Sequence, residues 1–390
     1  MTILARTIVH AAAVWVLTTA CMAGILIHAR STWAQSPQKE PAANWVDQKA
    51  IRVLNEAITQ LGRHSLVPRP PDAVVKGCLT AYMRANDPYG DYLSAPEYAA
   101  WRKAQAYRFY GVGMDLVRRS NGDTICIPQP EGPAARAGIQ AGTVLVAVDG
   151  VAVKNTSLYV VGARIRGPDG SDVRLSVIGP GEAVARTLTL RREPVESRSV
   201  WVKERPHFLL LRITNFNAHT PREMAEVLRS GLARPKVIDL RGNVGGDLFA
   251  AVDTAGLLLP AGAEVVTLKT RSGSTIYRAQ GPSLDQGSQL FILQDQDTAS
   301  AAEVFTAALV RHERAVSLGQ ISFGKGVAQR VLELSDGSAL IVTYAELLPP
   351  GGKPYTGTGL APTHHLPVRP ASDDDSWRVL VERLLPNDAR

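Results

Sequence analysis

The chain of 390 residues is 45% hydrophobic and 20% charged, a globular composition with length enough for two or three cored domains. Its net charge of +7 is scattered, and no Lys/Arg cluster interleaves with aromatics, which excludes a nucleic-acid-binding face and leaves a mildly basic, solvated surface. Three cysteines and the adjacent His364-His365 lack the paired spacing of a zinc site, so neither a metal nor any other cofactor is expected.

Arg6 and His10 precede an apolar stretch from Ala11 to Ile27, followed by the polar run His28–Gln35 with the small Ala34. This is the pattern of an export signal over residues 1–34. The apolar stretch is also nearly long enough to span a bilayer, so an uncleaved inner-membrane anchor is the alternative. Either way the body of the protein is expected in the periplasm or another extracytoplasmic space. Cys78 and Cys126 then fall in different domains and read as two buried thiols rather than a disulfide.

Residues 35–106 read as a helical N-terminal region. Trp45, Ala50, Ile51, Leu54, Ile58 and Leu61 recur at helical spacing, and a second helix runs over Ala73–Asn86 to the turn Asp87-Pro88-Tyr89-Gly90. Ser94-Ala95-Pro96-Glu97 supplies an N-cap, an early proline and an early acid for a third.

Over residues 107–195 the texture changes to short strands and glycine turns. Gly111–Leu116 leads into a strand, Asn121-Gly122 reads as a hairpin turn, and Glu131–Gly138 is a helical insert ending in glycine. Val144–Val148 turns back at Asp149-Gly150, a helix covers Leu158–Ile165, and strands follow at Val173–Ile178 and Thr187–Leu190. Residues 196–370 alternate strands with helices. Strands are expected at Phe208–Ile213, Val237–Leu240, Leu290–Leu293, Ala315–Leu318 and Leu340–Thr343, and helices at Arg222–Gly231, Leu248–Leu259 and Ala301–Arg311. That alternation implies a layered α/β core. Residues 371–390 hold a last helix, Trp377–Leu385, capped by Ser372 and the acids 373–375.

Three segments carry chemistry. Asp297-Thr298-Ala299-Ser300-Ala301-Ala302-Glu303 places a serine between a strand and the mouth of a helix, where free backbone N–H groups could receive an oxyanion. A plain N-cap serine is the competing reading. In Ser322-Phe323-Gly324-Lys325-Gly326-Val327-Ala328-Gln329, flanking glycines let backbone pack around the lysine; burial would lower its pKa and make it a base, with Gln329 placed to orient the amine. Alone this is as readily a loop lysine. Asp239-Leu240-Arg241-Gly242-Asn243-Val244-Gly245-Gly246 is a strand followed by a glycine-rich turn, but it lacks the Gly-Lys-Ser/Thr of a phosphate loop, which favours an oxyanion hole.

Together these segments resemble the carboxyl-terminal processing (tail-specific) proteases. The resemblance runs from about Asp87 to Pro362 and includes Asp87-Pro88-Tyr89, Gly111–Leu116, Gly132–Gly138, Arg166–Gly170, Ser335–Ser338 and the stretch from Pro350 to Pro362. It implies an α/β multidomain protein with a helical N-terminal region, a PDZ domain and a ClpP/crotonase-like protease core. It further implies Ser300 as nucleophile, Lys325 as general base, Gln329 as the residue that positions the lysine, and an oxyanion hole from Ala301 with Gly245 or its neighbour Gly246. In the PDZ domain, the loop Gly111-Val112-Gly113 would take the carboxylate of a substrate tail. The strand Met114-Asp115-Leu116 would pair with that tail, and Arg166 would couple binding to the active site. The implied partners are proteins or peptides with apolar carboxyl-terminal tails, with an activating adaptor and homo-oligomerisation left open. The departures are Ala302, Val327-Ala328, Val244 in place of a usual proline, and Tyr110 in place of a frequent glycine. Two rival readings stand beside this one: a peptide-binding scaffold with a latent or inactive core, and an acyl-transfer enzyme acting on small molecules.

Overall fold

The computed structural model describes residues 47–385 apart from 108–109, 120, 196–197, 231–233, 286 and 367–375. The export signal or anchor over 1–34 and the acidic cap at 372–375 lie outside these residues.

The centre of the core is a sheet of six strands in the order Val200–Glu204, Leu209–Ile213, Lys236–Asp239, Leu290–Gln294, Val316–Gly319 and His364–His365. The first pair is antiparallel and the rest are parallel. Parallel strands are buried on both faces, and alternate side chains go to opposite sides. Leu209, Leu211, Ile238, Leu290 and Ile292 accordingly pack under the helices Thr220–Arg229, Leu248–Gly256 and Ala301–Arg311. Phe208, Val237, Phe291 and Leu293 meet Trp377 and Val381 of the last helix, Ser376–Leu384, on the other face.

A second, antiparallel sheet holds Asp91–Leu93, Ala339–Leu348, Glu264–Thr270 and Gly273–Arg278 in that order, with Val327–Glu333 also paired to Ala339–Leu348. Its first strand comes from the N-terminal region, which is therefore built into the core rather than set beside it. Helices Gln48–His64, Pro71–Asn86 and Ala95–Ala104 precede and follow that strand. The second helix buries only Met83, which leaves Cys78 exposed; of the two described cysteines only Cys126 is buried, so the expectation of two buried thiols is corrected.

The middle unit is a sheet in the order Met114–Arg118, Thr124–Pro128, Thr143–Val148, Asp172–Ile178 and Arg186–Arg191, with helix Leu158–Ile165 against it. The hairpin turn at Asn121-Gly122 and the turn at Asp149-Gly150 fall where the sequence places them. The insert 131–138 forms only a short helix, Pro133–Arg136, because proline opens it and Gly138 adopts a left-handed φ of 77°.

Candidate active site

Three neighbouring parallel strands deliver three loops at their carboxyl ends, where open α/β sheets hold their ligands. After Asp239 comes the glycine turn, after Gln294 the serine segment, and after Gly319 the lysine loop.

Asp239 anchors the glycine turn. Its buried carboxylate accepts from Arg212 Nη1 at 3.0 Å and Arg241 Nε at 2.9 Å, and these guanidinium groups hold its pKa down against burial. Beyond it, Asn243 is fully buried. Its Nδ2 donates to the Ile213 carbonyl at 2.9 Å, which turns its Oδ1 toward Gly245, whose N–H it accepts at 2.9 Å. The turn is stapled to the serine segment by Thr298 Oγ1 donating to the Leu240 carbonyl and Ala299 N to the Asn243 carbonyl, both at 2.9 Å.

Ser300 sits at the sharp bend between that segment and helix Ala301–Arg311, with φ 56° and ψ −119°. A non-glycine residue there is strained, and such strain recurs at functional sites. Its Oγ is buried and has no hydrogen-bond partner among the described residues, so the side chain does not cap the helix as an ordinary N-cap serine would. Gly245 lies against it: a β-carbon on that glycine would stand 2.8 Å from Ser300 Cβ and 2.9 Å from Ala301 N. Gly246 faces elsewhere, toward the Phe216 carbonyl.

Lys325 is 4% exposed, and burial lowers its pKa to about 7, against the pull of Glu303 and Asp87. Its Nζ lies 5.9 Å from the centre of the Tyr89 ring. The flanking glycines do pack against backbone and side chains. A β-carbon at Gly324 would meet Gly359 N at 2.8 Å, and one at Gly326 would meet Thr356 Oγ1 at 2.7 Å.

Glu303 joins the two segments. One of its oxygens, Oε2, accepts from Ser300 N and from Lys325 N, each at 2.8 Å; the other accepts from Gly324 N at 2.7 Å and from the Ser322 hydroxyl. A single buried oxygen thus holds the backbone of both residues. Burial pushes the Glu303 carboxyl up, and these four donors oppose the shift. The sequence signal for Glu303 is the acid three residues after Ser300, a capping-box spacing whose glutamate here reaches beyond its own helix. Gln329 is buried nearby on strand Val327–Glu333. Among the described residues no group of three His, Cys, Asp or Glu side chains could hold a metal ion.

The middle unit closes over this site. Val117, Ile125 and Ile127 of its sheet pack with Val244 of the glycine turn and Phe323 of the lysine loop, and Arg119 forms an ion pair with Asp297. Strand Met114–Arg118 is the edge of the sheet, so its outer side has no strand neighbour among the described residues. Leu116 and Asp115 alternate across it and are both buried, as is Val112. Gly113 has a φ of 63°, Gly111 pairs with Glu193, and Arg166 follows the last turn of helix Leu158–Ile165. These residues lie in the middle unit, apart from the cluster of Ser300, Ala301, Gly245 and Lys325.

The family model of peptidase family S41 matches residues 207–366, and that of the PDZ domain matches residues 124–178. The chain is 33% identical over 325 residues to the C-terminal processing peptidase, chloroplastic, of Tetradesmus obliquus, covering 77% of this chain and 70% of that protein. It is 28% identical over 332 residues to the "Probable CtpA-like serine protease" of Staphylococcus aureus strain N315, covering 83% of this chain and 66% of that protein. The structure matches the photosystem II D1 C-terminal processing protease with a TM-score of 0.65 and 30% identity, over 82% of this chain and 94% of that one. Fold and sequence define an α/β multidomain serine-type peptidase that carries a PDZ domain. Within that class, the chain belongs to the C-terminal processing peptidases of peptidase family S41. Among the described residues no helix is long and apolar enough to cross a membrane.

Proposed function

We propose that this chain is an exported serine endopeptidase that cuts proteins near their carboxyl termini. The edge strand Met114–Leu116 takes an apolar tail by strand addition, and the loop Gly111–Gly113 receives its carboxylate. Ser300 Oγ attacks the scissile carbonyl as its proton passes to the neutral amine of Lys325. The C–N bond breaks, the leaving amine takes that proton, and water then hydrolyses the ester on Ser300 with Lys325 again as base. The Ala301 N–H, which has no intrahelical acceptor, receives the developing oxyanion, joined by the Gly245 N–H once that group is released from Asn243. The observation that carries this reading is a buried lysine with pKa about 7, tied through one Glu303 oxygen to the serine. Export rests on the leader read in residues 1–34.

The arrangement with the PDZ unit seated on Val244 and Phe323 is read as the resting state. In it the Gly245 N–H is committed to Asn243, so one oxyanion donor is not yet available. Binding of a tail would release the turn. Arg119→Ala removes the ion pair to Asp297 and is expected to raise cleavage of an untailed, unfolded substrate about threefold to tenfold, the range of about 1 kcal/mol. Initial rates with and without a tail peptide check this, and an unchanged basal rate would count against the resting-state reading. The scaffold alternative draws on the same committed N–H and predicts tail binding without cleavage of any substrate.

A further inference from the structure

We propose that Asp87, from the N-terminal helical region, is a positioning residue for the active site, acting through Thr343 and Gln329. The inference rests on the reading of Lys325 as the base. Asp87 ends helix Pro71–Asn86 and turns its carboxylate into the second sheet. There Oδ2 accepts from Thr343 N at 2.7 Å and Oδ1 from Thr343 Oγ1 at 2.8 Å. A hydroxyl has one proton; with it given to Asp87, the Thr343 oxygen can only accept. Gln329 Nε2 supplies the donor at 3.4 Å.

That chain of bonds decides which way the Gln329 amide faces, since the two ends of an amide are told apart by their partners. With Nε2 turned to Thr343, Oε1 points away, buried and without a hydrogen-bond partner among the described residues. A buried carbonyl oxygen left so is costly, and it is suited to receive an N–H of the lysine amine as that amine changes its protonation. Strand Val327–Glu333 is irregular at this point. Its register shifts between Ala328 and Gln329, so that Gln329 stands directly across from Thr343. Such shifts re-aim side chains beside active sites.

The rest of the Asp87-Pro88-Tyr89 turn faces the same lysine. Tyr89 Oη donates to the Gly324 carbonyl at 2.8 Å, and its ring covers Lys325 Nζ. The ionisable groups around Lys325 are Glu303 from the serine helix, Asp87 and Tyr89 from this turn, and Tyr355, which packs on Gly326. The N-terminal region thereby supplies one of the two carboxylates next to the base.

The test is steady-state cleavage of a tailed reporter by the full chain. Thr343→Val should lower kcat by about tenfold to a hundredfold, with KM within about twofold, the cost of a misplaced group. Thr343→Ser should restore most of the loss, and in a Gln329→Ala background Thr343→Val should cost nothing further. Asp87→Asn removes the charge that raises the Lys325 pKa, so the ascending limb of kcat/KM should move to lower pH as kcat falls. An unchanged kcat in Thr343→Val, or an equal loss with and without Gln329, overturns the proposal. Should Thr343→Val fail to fold, Asp87→Asn decides, and an unmoved limb overturns it. A wild type that cleaves beside inert Ser300→Ala and Lys325→Ala upholds the underlying reading whatever these variants do; a Ser300→Ala or a Lys325→Ala that cleaves as well as the wild type removes both.

Discussion

Ser300→Ala is expected to lower kcat for tail cleavage by on the order of 10^4 to 10^6, and Lys325→Ala by about 10^4, while binding of a tail peptide to the PDZ unit stays unchanged. In the proposed mechanism the two groups act on one proton, so the double variant should be no slower than Ser300→Ala alone. Steady-state rates of the three variants, with tail affinity measured alongside, check this. Lys325→Arg should be as inactive as Lys325→Ala, because a guanidinium keeps its proton at any pH the protein survives. The geometry behind the expectation is the strained Ser300 bend, whose hydroxyl has no partner among the described residues, and a lysine buried to 4% exposure.

Gly245→Ala should lower kcat by about 10^2 to 10^3, because the strained turn would carry the proposed oxyanion donor, the residue 245 N–H, out of place, and destabilise the fold by about 1–3 kcal/mol. Two independent features lead there. Gly245 has a φ of 104°, which alanine adopts only under strain, and the new methyl would stand 2.8 Å from Ser300 Cβ. Chemical melting and kinetics on the same preparation separate the two effects. Val244→Ala is the control next door: it trims the contact with Val117, Ile125 and Ile127 and leaves the turn's backbone conformation open.

The parts of this arrangement legible in the sequence are those that local pattern encodes. Leu290–Leu293 is a continuous apolar run, and Val237–Leu240 is broken only by Asp239, because the central sheet is buried on both faces; the segments that follow them carry the glycine turn and Ser300. Helix Leu158–Ile165 and the turn at Asp149-Gly150 were equally plain, from apolar spacing and turn chemistry. The second sheet was mostly illegible. Gly273–Arg278 is largely exposed and Val327–Glu333 partly so, which dilutes their alternation, and Asp91–Leu93 is a strand only because Ala339–Leu348 lies beside it. Cys78 reads as a buried thiol, yet most of the helix that carries it faces solvent.

Within the site, the serine and lysine segments announce themselves by their glycines and small residues, but what joins them does not. Asn243 turning to the Gly245 N–H and Glu303 reaching Lys325 N are tertiary contacts between side chain and backbone. Asp87 and Thr343 lie 256 positions apart, a separation over which no local periodicity carries information.

The central claim is that Ser300 is made nucleophilic by a neutral Lys325, and it is most directly tested by the pH dependence of covalent capture. The protein, with a tail peptide present, is treated with a fluorophosphonate between pH 5 and 9, and the labelled residue is identified by mass. Protonated lysine cannot accept the serine proton, so the labelling rate should rise with pH through about 7 and then level off. The label should sit on Ser300, and the rise should vanish in Lys325→Ala. A label on another residue, or a rate on Ser300 that stays flat across that range in the wild type, would contradict the account.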